Sequence, residues 1–255
     1  MTRSTIVHPP REASQATRPL GTLGPVPGMS SFHQRVAADK RAAILAAATT
    51  LFGTQGFART SLTQVATVAQ VSKSTLFKQF PTKDSLFDAI VGDVWTPRTQ
   101  ATADLDPADP EAGIRALGTV YADLLRRPGM ADLFRLVISE APSSPELGRR
   151  QFDLGKLPFF EEVRRYLEAA DRAGTLAVED PTMAATQMMG MISNFVLWPR
   201  MFLVDWDPGT DAVARAVEEA ALTMTARYRT HERSGDVGAR GGTAHGAVAR
   251  NTSTG

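Results

Sequence analysis

The chain has 255 residues, of which 43% are hydrophobic and 22% charged, and its formal net charge is +1. This is enough to bury one large or two modest cores. The absence of cysteine excludes disulfides, thiolate metal sites and thiol nucleophiles.

In chain order, residues 1–33 are rich in Pro, Gly, Ser and Thr and predict a disordered tail. Arg residues there are not followed by a continuous apolar run, so the segment does not read as a secretory leader. The first helix is expected over about 34–53, where Ile44, Leu45, Ala48, Leu51 and Phe52 share one stripe and Gly53 ends it. Short helices follow over about 61–69, 73–80 and 83–95. After the breaker DLDPADP come helices of about 111–126 and 128–140, then 146–155 and 158–173, parted near Gly155 and Pro158. Two more are expected over about 181–204 and 209–231, and residues 232–255 again predict a disordered tail. Period-2 alternation is missing between the tails, so the expected fold is all-α.

The stretch SLTQVATVAQVSKSTLFKQFPTKDSLF, residues 61–87, is the most informative. Ser61 with Gln64 three positions on fits a capping box, and Leu62, Val65, Ala66 and Ala69 form the inner face. A turn of about four residues leads to Ser72, a good N-cap. Leu76 and Phe80 then face inward. Lys73, Ser74, Thr75, Lys78 and Gln79 lie off that buried stripe, where donors and cations can meet base edges and phosphates. This is the pattern of a helix-turn-helix, whose second helix enters the major groove. Pro81 ends it; Thr82 caps the next helix, so its first amides with Lys83 form a candidate phosphate seat. From 34 to 83 seven Lys and Arg face only Asp39, a net of +6, which leaves the remainder acidic. Similar helix pairs with solvated Lys and Ser occur in many helical proteins, so the pattern alone leaves a plain structural reading open.

Over residues 38–92 the sequence resembles the DNA-binding domain of TetR-type (tetracycline-repressor-type) transcriptional regulators. ILAAATTLFGTQGF, the TS before the second helix, VSKSTLF and KDSLF carry the likeness. The resemblance implies that Thr60 and Ser61 touch backbone phosphate, that Lys73, Ser74, Thr75 and Lys78 lie in the groove, and that Lys83 binds phosphate. Three positions depart from it. Gln70 replaces a common turn glycine, which predicts strain or a different turn. Ser74 replaces another glycine, and Phe77 a tyrosine, losing a phosphate-bonding hydroxyl.

Residues 130–200 resemble the AefR-like version of the TetR C-terminal domain. That likeness implies a small-molecule cavity and a dimer interface on the last two long helices, about 181–204 and 209–231. The residues allow it independently, since helix 181–204 is apolar on two sides and needs a partner on each. A cavity pool drawn from Met, aromatic and interleaved polar positions comprises Phe134, Ile138, Phe159, Phe160, Met191, Phe195 and Trp198. Arg135, Glu140, Gln187 and Asn194 are its candidate anchors, though residues so spaced are commonly core.

The expectation is therefore a ligand-responsive homodimeric regulator in the cytoplasm, most simply a repressor on a near-palindromic double-stranded operator. The domains are a tail 1–33, a DNA-binding domain 34–92, a ligand-binding and dimerisation domain 93–231, and a tail 232–255. No cofactor, metal or membrane partner is expected. The stretch 183–204 is long enough to span a bilayer but is interrupted by Gln187, Asn194 and Arg200. His8, His33, His231 and His245 lack metal-ligand spacing, and no phosphate loop, nucleophile elbow or zinc-protease motif is present. A non-inducible helix-turn-helix protein and a helical enzyme using a cavity carboxylate stay open as alternatives.

Overall fold

A computed structural model describes residues 27–96 and 104–230. Among them the architecture is all-α, with an isolated antiparallel bridge between Leu176 and Arg229. The expected C-terminal tail and residues 1–26 of the N-terminal one lie outside the described residues. Helix α1 runs Pro27–Gln55, so it starts earlier than the expected residue 34 and takes in the last part of the presumed tail.

Helices α2 (Leu62–Val68), α3 (Lys73–Gln79) and α4 (Lys83–Trp95) follow. They pack Val65, Leu76, Leu86, Phe87 and Val91 against Ile44, Ala48 and Phe52 of α1, all at or near zero exposure. Fully burying each of the larger of these side chains contributes about 1.5–3 kcal/mol, so this core fixes α3 despite its short length.

The larger unit contains α5 (Pro110–Arg126), α6 (Met130–Glu140), α7 (Pro145–Gln151), α8 (Leu157–Arg172), α9 (Pro181–Val196), α10 (Trp198–Phe202) and α11 (Thr210–Arg227). Asp109 and Asp180 cap α5 and α9, each followed by a proline at the first helical position. There the missing N–H has no intrahelical acceptor to lose. The bundle core is Leu117, Leu124, Leu133, Val163, Leu167, Met188 and Ile192.

Two boundaries differ from the sequence reading. No break separates α7 from α8; a π-helical turn, Phe152–Lys156, joins them into one rod. Pro158 lacks an N–H and would crowd the carbonyl four residues back, and the wider turn relieves this. Conversely, the expected single helix 181–204 is interrupted. Leu197 caps α9, and the chain restarts as the short α10 with Pro199 in its first turn. No described helix is long and apolar enough to cross a membrane.

Candidate nucleic-acid interface and effector domain

The turn between α2 and α3 is built by backbone hydrogen bonds. The Val71 N–H donates to the Ala66 carbonyl at 3.0 Å and the Gln70 N–H to that of Thr67 at 3.2 Å. This is a Schellman closure, which requires a left-handed residue between its two bonds. Gln70 occupies that position at φ 54°, the only non-glycine with positive φ among the described residues. The turn is thus kept in the glycine-type conformation, with the strain the substitution predicts.

Both expected caps form. The Ser61 hydroxyl accepts from the Gln64 N–H while the Gln64 side-chain oxygen accepts from the Ser61 N–H at 2.8 Å. At α3, the Ser72 hydroxyl accepts from the Thr75 N–H at 3.1 Å and lies 3.0 and 2.8 Å from the hydroxyls of Ser74 and Thr75. Leu76 and Phe80 anchor the helix inward, and the Arg41 guanidinium lies 5.0 Å from the Phe80 ring centroid. Lys73, Ser74 and Lys78 are exposed on the outer face with Thr75 and Gln79 half-buried beside them. Phe77 joins that face at 44% exposure. The row expected to reach the groove is therefore presented together.

Two residues expected on phosphate are placed otherwise. Thr60 is 2% exposed, and its hydroxyl lies 2.9 Å from the Gly56 carbonyl and 3.3 Å from that of Leu51, behind the start of α2. Its buried hydroxyl supports the α1–α2 turn. Thr82 caps α4 with Ser85 as expected, but Lys83 folds back. Its ammonium donates to the Phe57 and Ala58 carbonyls at 2.8 and 2.9 Å and lies 4.9 Å from the Phe57 ring centroid. These carbonyls attract the ammonium as a phosphate would, so two of its three donors are taken.

The residues of the effector pool are not gathered around one cavity. Phe159 is core, stacked on Tyr121 at 5.5 Å and 10°, and Phe134, Phe160 and Met191 pack against the core. Ile138, Asn194, Phe195 and Trp198 are exposed. Gln187 accepts from the Tyr228 hydroxyl at 2.8 Å. The Glu140 carboxylate reaches the DNA-binding unit, accepting from the Phe57 N–H at 3.2 Å. Clefts of about 520 and 480 Å³ lie instead along the domain boundary, where Ala42, Ala46, Thr49 and Gly53 of α1 face Asp132 and Arg135 of α6. The physical reason is that Phe159 with Phe134, Phe160 and Met191 already fills space in the close-packed core, while Ile138, Phe195 and Trp198 lie outside it.

Other cross-boundary bonds could not be read from sequence. Arg150 of α7 donates to both carboxylate oxygens of Asp88 on α4, at 2.9 and 2.7 Å. That partner holds its guanidinium above the usual range. Arg127, from the α5–α6 turn, donates to the Asp93 and Val94 carbonyls, where cations suit a helix C-terminus. Among the described residues no group of three His, Asp or Glu side chains could hold a metal.

These features agree with known proteins. Residues 44–90 match the model of bacterial regulatory proteins of the tetR family, and residues 112–230 match the AefR-like transcriptional repressor C-terminal domain. Comparison with curated proteins returns no match. A TetR family transcriptional regulator from Pseudomonas syringae pv. tomato shares 29% identity at TM-score 0.59, over 74% of this chain and 96% of that one. The flavonoid-responsive regulator FrrA shares 25% at TM-score 0.55, over 74% and 95%. A TetR-family regulator from Mesorhizobium loti, at 23% identity and TM-score 0.57, covers 76% of this chain and 98% of its own, and shows the fold alone. With a capped reader helix at one end and an AefR-like helical domain at the other, the chain belongs to the TetR family of DNA-binding transcriptional regulators.

Proposed function

We propose that the protein is a ligand-responsive homodimeric repressor, released from a near-palindromic operator by a small apolar or amphipathic effector. The observation that carries this reading is the outer face of α3. Lys73, Ser74, Thr75, Lys78 and Gln79 stand on it, while Leu76 fixes the helix from behind. Ser74 and Thr75 reach base edges by exchanging their contacts with the Ser72 hydroxyl, and Lys73 and Lys78 supply the sequence-independent phosphate attraction.

Dimerisation is supported by the apolar side chains left uncovered on the last long helices. Met183 and Phe195 of α9 and Leu222 of α11 are exposed, and a second copy packed about a two-fold axis covers them as a four-helix bundle. Ligand response is supported by the likeness to FrrA, a regulator that responds to flavonoids. It is also supported by the number of bonds that tie α4 to the larger domain. An effector acts only through a difference in affinity between two conformers, and a coupling of about 1–3 kcal/mol suffices.

Selection of duplexes from a random pool tests this. The expected product is a near-palindrome with half-sites about 34–36 Å apart or a multiple of that, bound by a particle of two chains in sedimentation. A monomer that retains no duplex at low ionic strength overturns the reading. A selected site whose affinity no ligand alters favours a constitutive regulator.

A further inference from the structure

Phe77 is a large apolar side chain on a face that is otherwise polar. It is 44% exposed, while its neighbour Leu76 is fully buried. Successive residues of an α-helix turn by about 100°. The exposed positions of α3 therefore follow one another around its axis as Lys73, Phe77, Ser74 and Lys78. The ring stands inside that arc, with Lys73 on one side and Ser74 and Lys78 on the other. It is no margin of the core reaching into solvent.

A phenyl ring has no donor or acceptor to offer a phosphate or a polar base edge. In the major groove the base pairs present donors and acceptors, and the C5-methyl group of thymine is the apolar group among them. A ring laid over a purine N7 or an exocyclic amine covers that polar atom without pairing it, which costs affinity. Laid on a thymine methyl, it takes apolar surface of both partners out of water. The dimensions allow this. The seven residues of α3 rise about 10 Å, and the groove is about 12 Å wide. Phe77, one turn beyond Lys73 and Ser74, is thus still inside it. The flanking lysines and the net of +6 over residues 34–83 suit a polyanion on this face better than an apolar protein surface.

We propose that Phe77 is a specificity-determining residue, whose ring packs on the C5-methyl of a thymine in each half-site and so selects an A·T pair there. The proposal rests on the reading of α3 as the reader helix and adds a base determinant that its lysines and hydroxyls do not supply. Thr75 also carries a methyl group, but it is half-buried and its hydroxyl lies 2.8 Å from that of Ser72.

The test uses duplexes selected from a random pool on the full chain. Each thymidine of the selected half-site is replaced in turn by deoxyuridine, which keeps the base pairing and the backbone and lacks only the methyl. The expected result is a thymidine in each half-site whose replacement weakens binding by about fourfold, as for one methyl group left unburied. Phe77→Ala binds the unmodified duplex more weakly, no longer distinguishes thymidine from deoxyuridine at that position, and keeps the slope of log affinity against log salt. Lys78→Ala does the reverse, and Thr75→Ser keeps the methyl preference. A duplex indifferent to every thymine methyl, or a preference that persists in Phe77→Ala, overturns the proposal and leaves α3 reading through its polar groups. A Phe77→Ala chain that sediments as a smaller particle without DNA shows the ring to be covered by a second copy, and overturns it too. If no duplex is retained at any stage, the operator reading itself fails and takes this proposal with it.

Discussion

Gln70 shows how one residue can carry strain without altering the fold. Its left-handed backbone is imposed by the two Schellman bonds, and a non-glycine residue there costs about 1–3 kcal/mol. Gln70→Gly removes that cost but loosens the unfolded chain by about 0.5–1 kcal/mol. Urea melts should therefore show a net gain of up to about 2.5 kcal/mol, with duplex affinity unchanged. The lysines divide by a similar argument. Lys78→Ala should lower the slope of log affinity against log salt by about 1. Lys83→Ala leaves the Phe57 and Ala58 carbonyls without their donor, so about 1–2 kcal/mol of stability should be lost with a smaller effect on that slope. The capping residues were legible because a cap acts within one turn of chain. The inward placement of Thr60 and Lys83 was not, since their acceptors lie in the end of α1 and the turn after it, whose path depends on the packing of α1 against α4.

Among the elements, α4 connects the two domains and is held at two points, while a third bond ties the turn that precedes α2. Arg150 pairs with Asp88 and Arg127 covers the last carbonyls of α4, and Glu140 holds the Phe57 N–H. These bonds differ in weight. Glu140→Ala strands the Phe57 N–H of a buried residue, costing about 1–3 kcal/mol. Arg150→Met removes an ion pair whose partners are both about one-third exposed, worth about 0–1 kcal/mol. Denaturant titration of both variants checks the order, and a larger loss at Arg150 would contradict it. Helix periodicity gave nearly every element in advance, because the apolar stripe repeats locally. The π-helical turn and the interruption at Leu197 escaped it. A proline is visible in sequence, but whether the chain breaks or bulges there is decided by what packs against the rod. The cross-boundary pairs, 62 and 83 positions apart, left no periodic signal at all.

For the whole molecule, buried tyrosines set an alkaline limit. Burial pushes the Tyr121 hydroxyl up to about 12. Tyr166 is pushed equally far, by burial first and then by Asp109 and Asp106. In the unfolded chain these groups ionise near the ordinary value of about 10. Between pH 10 and 12 the unfolded state therefore binds fewer protons than the folded one, and stability falls as pH rises. Thermal melts across that window should show the decline, and Tyr121→Phe should make it shallower. At the level of assembly, the charge division was legible by counting, because a net of +6 over residues 34–83 is a property of composition. The effector pool was not. Met and aromatic residues at helical spacing have the same pattern whether they fill a core, line a cavity or await a second chain.

The small bridge behind the bundle has a consequence for truncation. The Ala177 N–H donates to the Tyr228 carbonyl at 2.7 Å, Leu176 pairs with Arg229, and the Tyr228 hydroxyl reaches Gln187. Two residues after the last helix, Tyr228 and Arg229, thus clasp the chain leaving α8 and the flank of α9 together. Cutting back to residue 226 opens the clasp, exposes the seam between α9 and α11, and should make the C-terminal bundle the first part to yield to protease.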